Sequence, residues 1–210
     1  GDFIAYGVYH NTSRVAIRLI EWHHDITIDE NWWRQKVAQS IHHRRHLLND
    51  ENNTVRLIFA EADFLPGLIA DKYADYISIQ VHSAAIEQVK DIIIDELRKQ
   101  LDILGVYEKS DIQSREYEGL PNTNGLLWGS LPPEFIDVIE NGIRYQVNII
   151  DGQKSGFYCD QRDNRAITAK YTENKRVLDC FSYSGGFTLN ALKAGASKVI
   201  SVDSSALAIE

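Results

Sequence analysis

The chain has 210 residues, 44% of them hydrophobic and 25% charged, with a formal net charge of −8. That balance describes a globular protein long enough to bury a real core and excludes a uniformly basic nucleic-acid binder. No apolar stretch approaches the roughly 18 residues that span a bilayer and the opening residues lack a signal-peptide pattern, so the cytoplasm is the expected compartment, with no membrane partner. In chain order, Phe3 to Tyr9 and Arg14 to Trp22 are β-rich runs flanking His10-Asn11-Thr12-Ser13, which predicts a hairpin. A two-stranded hairpin is marginal alone, so partners before Gly1 are expected. Asp29 to Leu48 predicts a helix capped by Asp29, with Trp33, Val37, Ile41 and Leu48 on one face and Arg34, Lys36, Arg44 and Arg45 on another.

Short strands are expected near Val55 to Ala60, Gly67 to Asp71 and Tyr76 to His82, followed by a long helix from about Ala84 to Leu101 and a strand near Gly105 to Lys109. The hairpin Phe135 to Ile150 turns on Asn141-Gly142, a strong type I′ signal. Together these form a small α+β unit. After Asp151 the pattern changes to a helix from about Asp160 to Lys170, a strand, a helix, a strand and the start of another helix. Such alternation predicts a parallel, doubly wound sheet. The expected organisation is therefore 1–22, 23–52 as a connecting helix, 53–150 and 151–210. With no Met and an end inside a starting helix, the chain is expected to be an excerpt of a longer one.

The chemistry concentrates in "VLDCFSYSGGFTLNALKAGASKVISVDSS", Val177 to Ser205. In open α/β sheets ligands bind beyond the carboxyl ends of the strands, and here the first strand delivers Ser182 to Gly186 to that edge. Gly185 and Gly186 allow close backbone approach. The second strand delivers Asp203, a carboxylate able to accept hydrogen bonds from both ribose hydroxyls. A nicotinamide cofactor needs G-x-G-x-x-G, but this turn lacks the first glycine and places Tyr183 where a pyrophosphate would crowd. S-adenosylmethionine, an adenosyl cofactor without phosphates, fits better. A Rossmann-like core with no ligand role remains the alternative. Upstream, Gln161 and Arg162 could hold a methionine carboxylate, or the segment could be a solvated helix start capped by Asp160. Lys154 to Arg176 carries six bases and three acids, against six bases and twelve acids over Asp50 to Lys109, so a local basic site on an acidic body is allowed.

"GQKSGFYCDQRDNR" followed by "VLDCFSYSGGF" and "VISVDSS" resembles the PUA-containing class I S-adenosylmethionine-dependent methyltransferases that act on cytosine carbon-5 of large-subunit ribosomal RNA. "GVYHNTSRVAIRLI", "ADFLPGLIADKY", "GVYEKSD" and "EGLPNTNGLLWG" extend the resemblance over essentially the whole chain. It implies the tail of a PUA-like β-barrel, a small central α+β domain and the start of a Rossmann-like class I methyltransferase domain. It also implies S-adenosyl-L-methionine as cofactor and ribosomal RNA as partner, with a homodimer allowed for. By motif, Gln161 and Arg162 would hold the methionine end. Asp179, Phe181, Ser182, Tyr183, Gly185 and Gly186 would line the cofactor cleft, and Asp203 would bind the ribose. The other functional classes weighed are a nicotinamide-dependent oxidoreductase and a noncatalytic RNA-binding protein.

Cytosine carbon-5 is a poor nucleophile, so this chemistry needs a cysteine thiolate at carbon-6 and a base to remove the carbon-5 proton. Cys159 and Cys180 are both read as packed free thiols, Cys180 ending a buried strand, and the resemblance places the nucleophile in a later motif. No catalytic residue is assigned. "HHRRH", His42 to His46, is read as a solvated basic helix face that could touch RNA phosphates and not as a zinc pair, so no metal is expected. Of Trp32 and Trp33, one is expected to pack inward and the other to rest against a neighbouring domain.

Overall fold

The computed structural model describes residues 1–11, 13–152 and 155–205. At the N-terminus β1 (Tyr6–Tyr9) and β2 (Ile17–Glu21) pair antiparallel, shorter than the predicted runs, with Ile20 and Glu21 buried. Thr12 of the predicted turn lies outside the described residues. The helix α1 (Glu30–Arg44) starts where the sequence indicates, because the Asp29 carboxylate accepts the Trp32 N–H at 2.9 Å. Its last predicted residues tighten into a 3-10 turn, Arg45–Leu47, leaving Leu48 outside. Asp29→Ala should lower the unfolding free energy by about 1 kcal/mol in urea denaturation, the usual cost of losing an N-cap acceptor.

Trp33, Val37 and Ile41 pack into the main core. Trp32 is buried as well; its indole N–H donates to the Glu21 carboxylate at 3.1 Å, pinning the hairpin to the helix. The basic face of α1 is not simply solvated. Arg34 pairs with Glu30 and Asp95, Lys36 with Glu21, and Arg44 with Asp63, while Arg45 donates to the Gln100 carbonyl. These internal partners remove most of the charge that a phosphate-binding helix would present.

A five-stranded mixed sheet in the order β3–β4–β5–β6–β7 forms the centre: β3 (Thr54–Phe59), β4 (Leu68–Tyr73), β5 (Tyr76–Val81), β6 (Gly105–Glu108) and β7 (Gly125–Gly129). β5 and β6 are parallel and the other pairs antiparallel. The β5–β6 crossover, predicted as one helix, breaks at Val89 into α2 (Ala84–Gln88) and α3 (Lys90–Gln100). There the Val89 N–H turns back to the Ile86 carbonyl and φ reaches −110°. β7 and α4 (Ile112–Tyr117) escaped prediction: one is a five-residue strand bracketed by glycines and the other a helix of under two turns with no apolar period.

Helices α1 and α3 cover one face of the sheet around Leu57, Ile79, Ile93, Leu97 and Val106. On the other side lies the hairpin β8 (Ile136–Glu140) and β9 (Ile143–Val147), whose turn residues Asn141 and Gly142 adopt φ of 52° and 65° as a type I′ turn demands. Tyr73 of β4 joins Val138, Tyr145, Val147, Phe157 and Cys159 in a second core. That core ties the central sheet to the C-terminal residues.

The C-terminal unit runs through a 3-10 turn (Cys159–Gln161), α5 (Arg162–Ala169), β10 (Arg176–Cys180), α6 (Gly186–Lys193) and β11 (Lys198–Val202). β10 and β11 pair in parallel, Arg176 opposite Lys198 through Cys180 opposite Val202, as a βαβ unit requires. α5 begins two residues later than predicted, and Asp160 makes no capping bond to it. The helix expected after Asp203 falls on residues 206–210, outside the described residues, as do Gln153 and Lys154. Cys180 corrects an expectation: it is exposed, not buried, because among the described residues β10 pairs with β11 alone and leaves Leu178 and Ile200 exposed too.

Candidate functional site

The loop between β10 and α6 is held in an unusual backbone shape. Phe181, Tyr183 and Gly185 all adopt left-handed φ, at 62°, 47° and 73°. For two non-glycine residues, both aromatic, this costs energy that the surroundings must offset, and such strain concentrates at ligand sites. The restraints are specific. The N–H groups of Phe181 and Ser182 donate to the Val202 carbonyl at 2.8 and 3.1 Å, tying the loop to the end of β11. Tyr183 donates its N–H to Asp203 Oδ2 at 2.8 Å and its hydroxyl to the Gly156 carbonyl at 3.0 Å, with its ring edge-on to Tyr158 at 5.4 Å.

Asp203 thus braces the loop as well as facing it. Its second oxygen accepts the Ser205 N–H at 2.8 Å. The Ser205 and Tyr183 N–H groups hold its carboxyl below the usual carboxylate range. A carboxylate has about four acceptor positions, so these N–H groups leave capacity for a ligand hydroxyl. Asp179 works differently: Oδ2 accepts both the N–H (3.0 Å) and the hydroxyl (2.6 Å) of Thr188, fastening β10 to the first turn of α6.

These elements enclose a cleft of about 270 Å³ lined by Phe157, Tyr158, Gln161, Arg165, Phe181 to Ser184, Gly186, Phe187, Asp203 and Ser204. Of the residues the sequence singled out, Gln161, Phe181, Ser182, Tyr183, Gly186 and Asp203 come together here. Asp179, Gly185 and Arg162 do not line it. Arg162 bonds its neighbour Asp163 at 2.9 and 3.0 Å. One helical turn on, Arg165 takes the inward position. It makes a two-pronged pair with Glu140 of β8 at 2.7 Å on both prongs, donates to the Tyr158 carbonyl and lies over the Phe157 ring. Both partners are buried, and burial pushes the Glu140 carboxyl up. A Cβ at Gly186 would sit 2.9 Å from Arg165 Cδ, so the close approach of α6 to this arginine requires glycine. The pair escaped the sequence reading because the three-residue spacing of Arg162 and Arg165 does not say which one faces inward.

Among the described residues Ser184, which lines the cleft, has its Oγ buried without a hydrogen-bond partner. An orphaned buried hydroxyl is costly, and a ligand in the cleft would satisfy it. Neither thiol lines the cleft. Cys159 is buried against Thr54, and burial pushes its thiol well up, away from the thiolate. Among the described residues no cluster of His, Cys, Asp and Glu could hold a metal, and no helix is long and apolar enough to cross a membrane.

Residues 114–209 match a family described as S-adenosylmethionine-dependent methyltransferase. Along its full length the chain is 40% identical to the ribosomal RNA large subunit methyltransferase I of Aliivibrio fischeri, of which it covers 53%. It spans about half the length of the curated relatives it matches. Among solved structures, a candidate SAM-dependent methyltransferase from Streptococcus mutans superposes over 98% of this chain and 53% of its own, with a TM-score of 0.81 and 24% identity. A candidate methyltransferase complexed with SAH superposes with a TM-score of 0.82 and 24% identity, covering 98% of this chain and 52% of that one. The chain therefore has the mixed α/β, Rossmann-like fold of class I S-adenosylmethionine-dependent methyltransferases, and its cleft forms within the residues that match that family.

Proposed function

We propose that the cleft holds S-adenosylmethionine and that the chain is the cofactor-binding part of an RNA methyltransferase acting on cytosine carbon-5 of large-subunit ribosomal RNA. The observation that carries the cofactor is the meeting of the Asp203 carboxylate and the orphaned Ser184 hydroxyl in one cleft beyond the ends of β10 and β11. Asp203 would accept the ribose hydroxyls, Ser184 would gain its missing partner, and Gln161 would reach the methionine end. When bound, the sulfonium supplies an electrophilic methyl group. The protein's own residues bind and orient: Tyr183 closes the loop, Arg165 fixes α5 against α6, and Phe157 and Tyr158 form an aromatic wall.

The RNA substrate is supported by the printed name of the relatives, and the cytosine carbon-5 position by the motif resemblance alone. On the same reading, residues 1–22 are the tail of a PUA-like barrel, 23–52 the connecting helix, 53–150 the central α+β domain and 151–210 the start of the methyltransferase domain. The cytoplasm is the site of action. Incubation of the full-length protein that contains this chain with tritiated S-adenosylmethionine and unmodified large-subunit rRNA, followed by nucleoside analysis, tests the activity: label in 5-methylcytidine supports it, and label confined to another nucleoside overturns the carbon-5 assignment. Ser184→Ala adds a test at the site. The free chain should melt at the same temperature or slightly higher, since no hydrogen bond is lost, while SAH binding weakens about fivefold.

A further inference from the structure

The wall of the cleft formed by Phe157 and Tyr158 is held from outside the cofactor unit. Tyr73, on the last position of β4 in the central sheet, is completely buried. Its hydroxyl accepts the Phe157 N–H at 3.2 Å and lies 3.1 Å from the Phe157 carbonyl, to which it donates. Both backbone polar groups of one wall residue therefore bond a side chain 84 positions earlier, the carbonyl having only the longer 3.5 Å approach of Ser155 Oγ besides. Ser155 Oγ lies 3.0 Å from the same hydroxyl and gives its one proton to Asp71 Oδ2 at 2.6 Å. Tyr73 is then the donor toward Ser155 too, sharing its proton between Ser155 and Phe157. Asp71 is fixed in turn by the Arg56 guanidinium at 2.8 and 3.0 Å.

The segment is gripped from the other side by the cofactor loop, since the Tyr183 hydroxyl donates to the Gly156 carbonyl between the two anchored residues. Gly156 permits this: its φ is +114°, and a Cβ there would meet Val147 Cγ1 at 2.9 Å and the Asn148 carbonyl at 3.0 Å. Residues 155–157 are thus strung between the central sheet and the strained loop, with buried hydrogen bonds on the sheet side and a half-buried one on the loop side. In so buried a place each bond has one geometry, and its loss leaves an unsatisfied backbone group.

We infer that Tyr73, with Ser155 and Asp71 behind it, is a positioning residue for the cofactor cleft, setting the aromatic wall and, through Gly156, the place of Tyr183. The central sheet on this account acts on the cofactor, which neither lining residues nor motif spacing indicates. The inference rests on the reading of the cleft as an S-adenosylmethionine site.

The test is Tyr73→Phe in the full chain, with SAH titrated calorimetrically and amide exchange followed by mass spectrometry. The expected result is about tenfold weaker SAH binding, the loss of one to two buried hydrogen bonds, together with faster exchange at residues 155–158 and unchanged protection in β4 and β5. Ile93→Val, in the other core on the far face of the sheet, serves as the control for global destabilisation and should leave SAH affinity unchanged. If Tyr73→Phe folds and binds SAH as tightly as the unaltered chain, or if Ile93→Val weakens binding as much, the positioning role is overturned. Should Tyr73→Phe not fold, Ser155→Ala decides by the same two readouts. An unaltered chain that fails to bind SAH overturns the cofactor reading instead, a result distinct from equal binding by both chains.

Discussion

Replacing Arg165 by methionine is expected to lower the unfolding free energy by about 3–5 kcal/mol, the cost of stranding a buried charge. The reason is Glu140. Its carboxylate is fully buried, both oxygens are committed to Arg165, and burial already pushes its carboxyl up. Without the guanidinium the carboxyl must either stay ionised and unpaired or take up a proton with its hydrogen bonds unmade. The Tyr158 carbonyl and the face of Phe157 lose a partner at the same time. A double replacement, Glu140→Leu with Arg165→Met, should recover most of the loss, because removing both charges removes the desolvation problem. Urea denaturation of the single and double variants checks both statements, and a loss below about 1 kcal/mol for Arg165→Met would mean that the pair is solvated.

The second large effect is at Asp203. Asp203→Ala should weaken SAH binding by at least tenfold, since it removes the ribose acceptor and releases the Tyr183 N–H that shapes the loop. Asp203→Asn should fall between the two, because an amide oxygen can still accept the Tyr183 N–H. The pH dependence follows from the sign of the shift. The N–H groups of Ser205 and Tyr183 depress the Asp203 carboxyl, so the carboxylate, and any stability it contributes, persists down through the ordinary carboxylate range and is lost only as pH falls through the depressed value. SAH affinity should therefore be flat over about pH 5 to 8. Calorimetric titration at several pH values checks this; a midpoint near pH 6 would point to a different group.

Much of the fold was legible because local chemistry and period agree in it. Asp29 before an apolar 3.6-residue pattern, Asn141-Gly142 between alternating strands, and two apolar runs around a glycine-bearing turn each state their structure locally. What was not legible depends on tertiary choice. The break at Val89 lies inside one continuous helical pattern. The inward turn of Arg165 in place of Arg162 is set by Glu140, 25 residues upstream on the β8–β9 hairpin. Exposure of Cys180 reflects which strands lie beside β10 and not the residues of β10 itself.

At the site, the loop residues and Asp203 came straight from the strand–turn–helix–strand order, since that topology always delivers those positions to the carboxyl edge. The function of Asp179 as a brace for Thr188, the orphaned Ser184 hydroxyl and the hold of Tyr73 on Phe157 are contacts across long sequence separations or single-atom burials. No spacing encodes them. The basic face of α1 is the converse case: its charges are visible in the sequence, but their acidic partners Glu21, Asp63 and Asp95 come from three other elements.

The central claim is that the cleft beyond β10 and β11 takes an adenosyl cofactor without phosphates. Isothermal titration of the full chain with SAH and, separately, with NAD tests it most directly. Saturable SAH binding that Asp203→Ala weakens, with no heat from NAD, is the predicted result; NAD binding in the absence of SAH binding would contradict it.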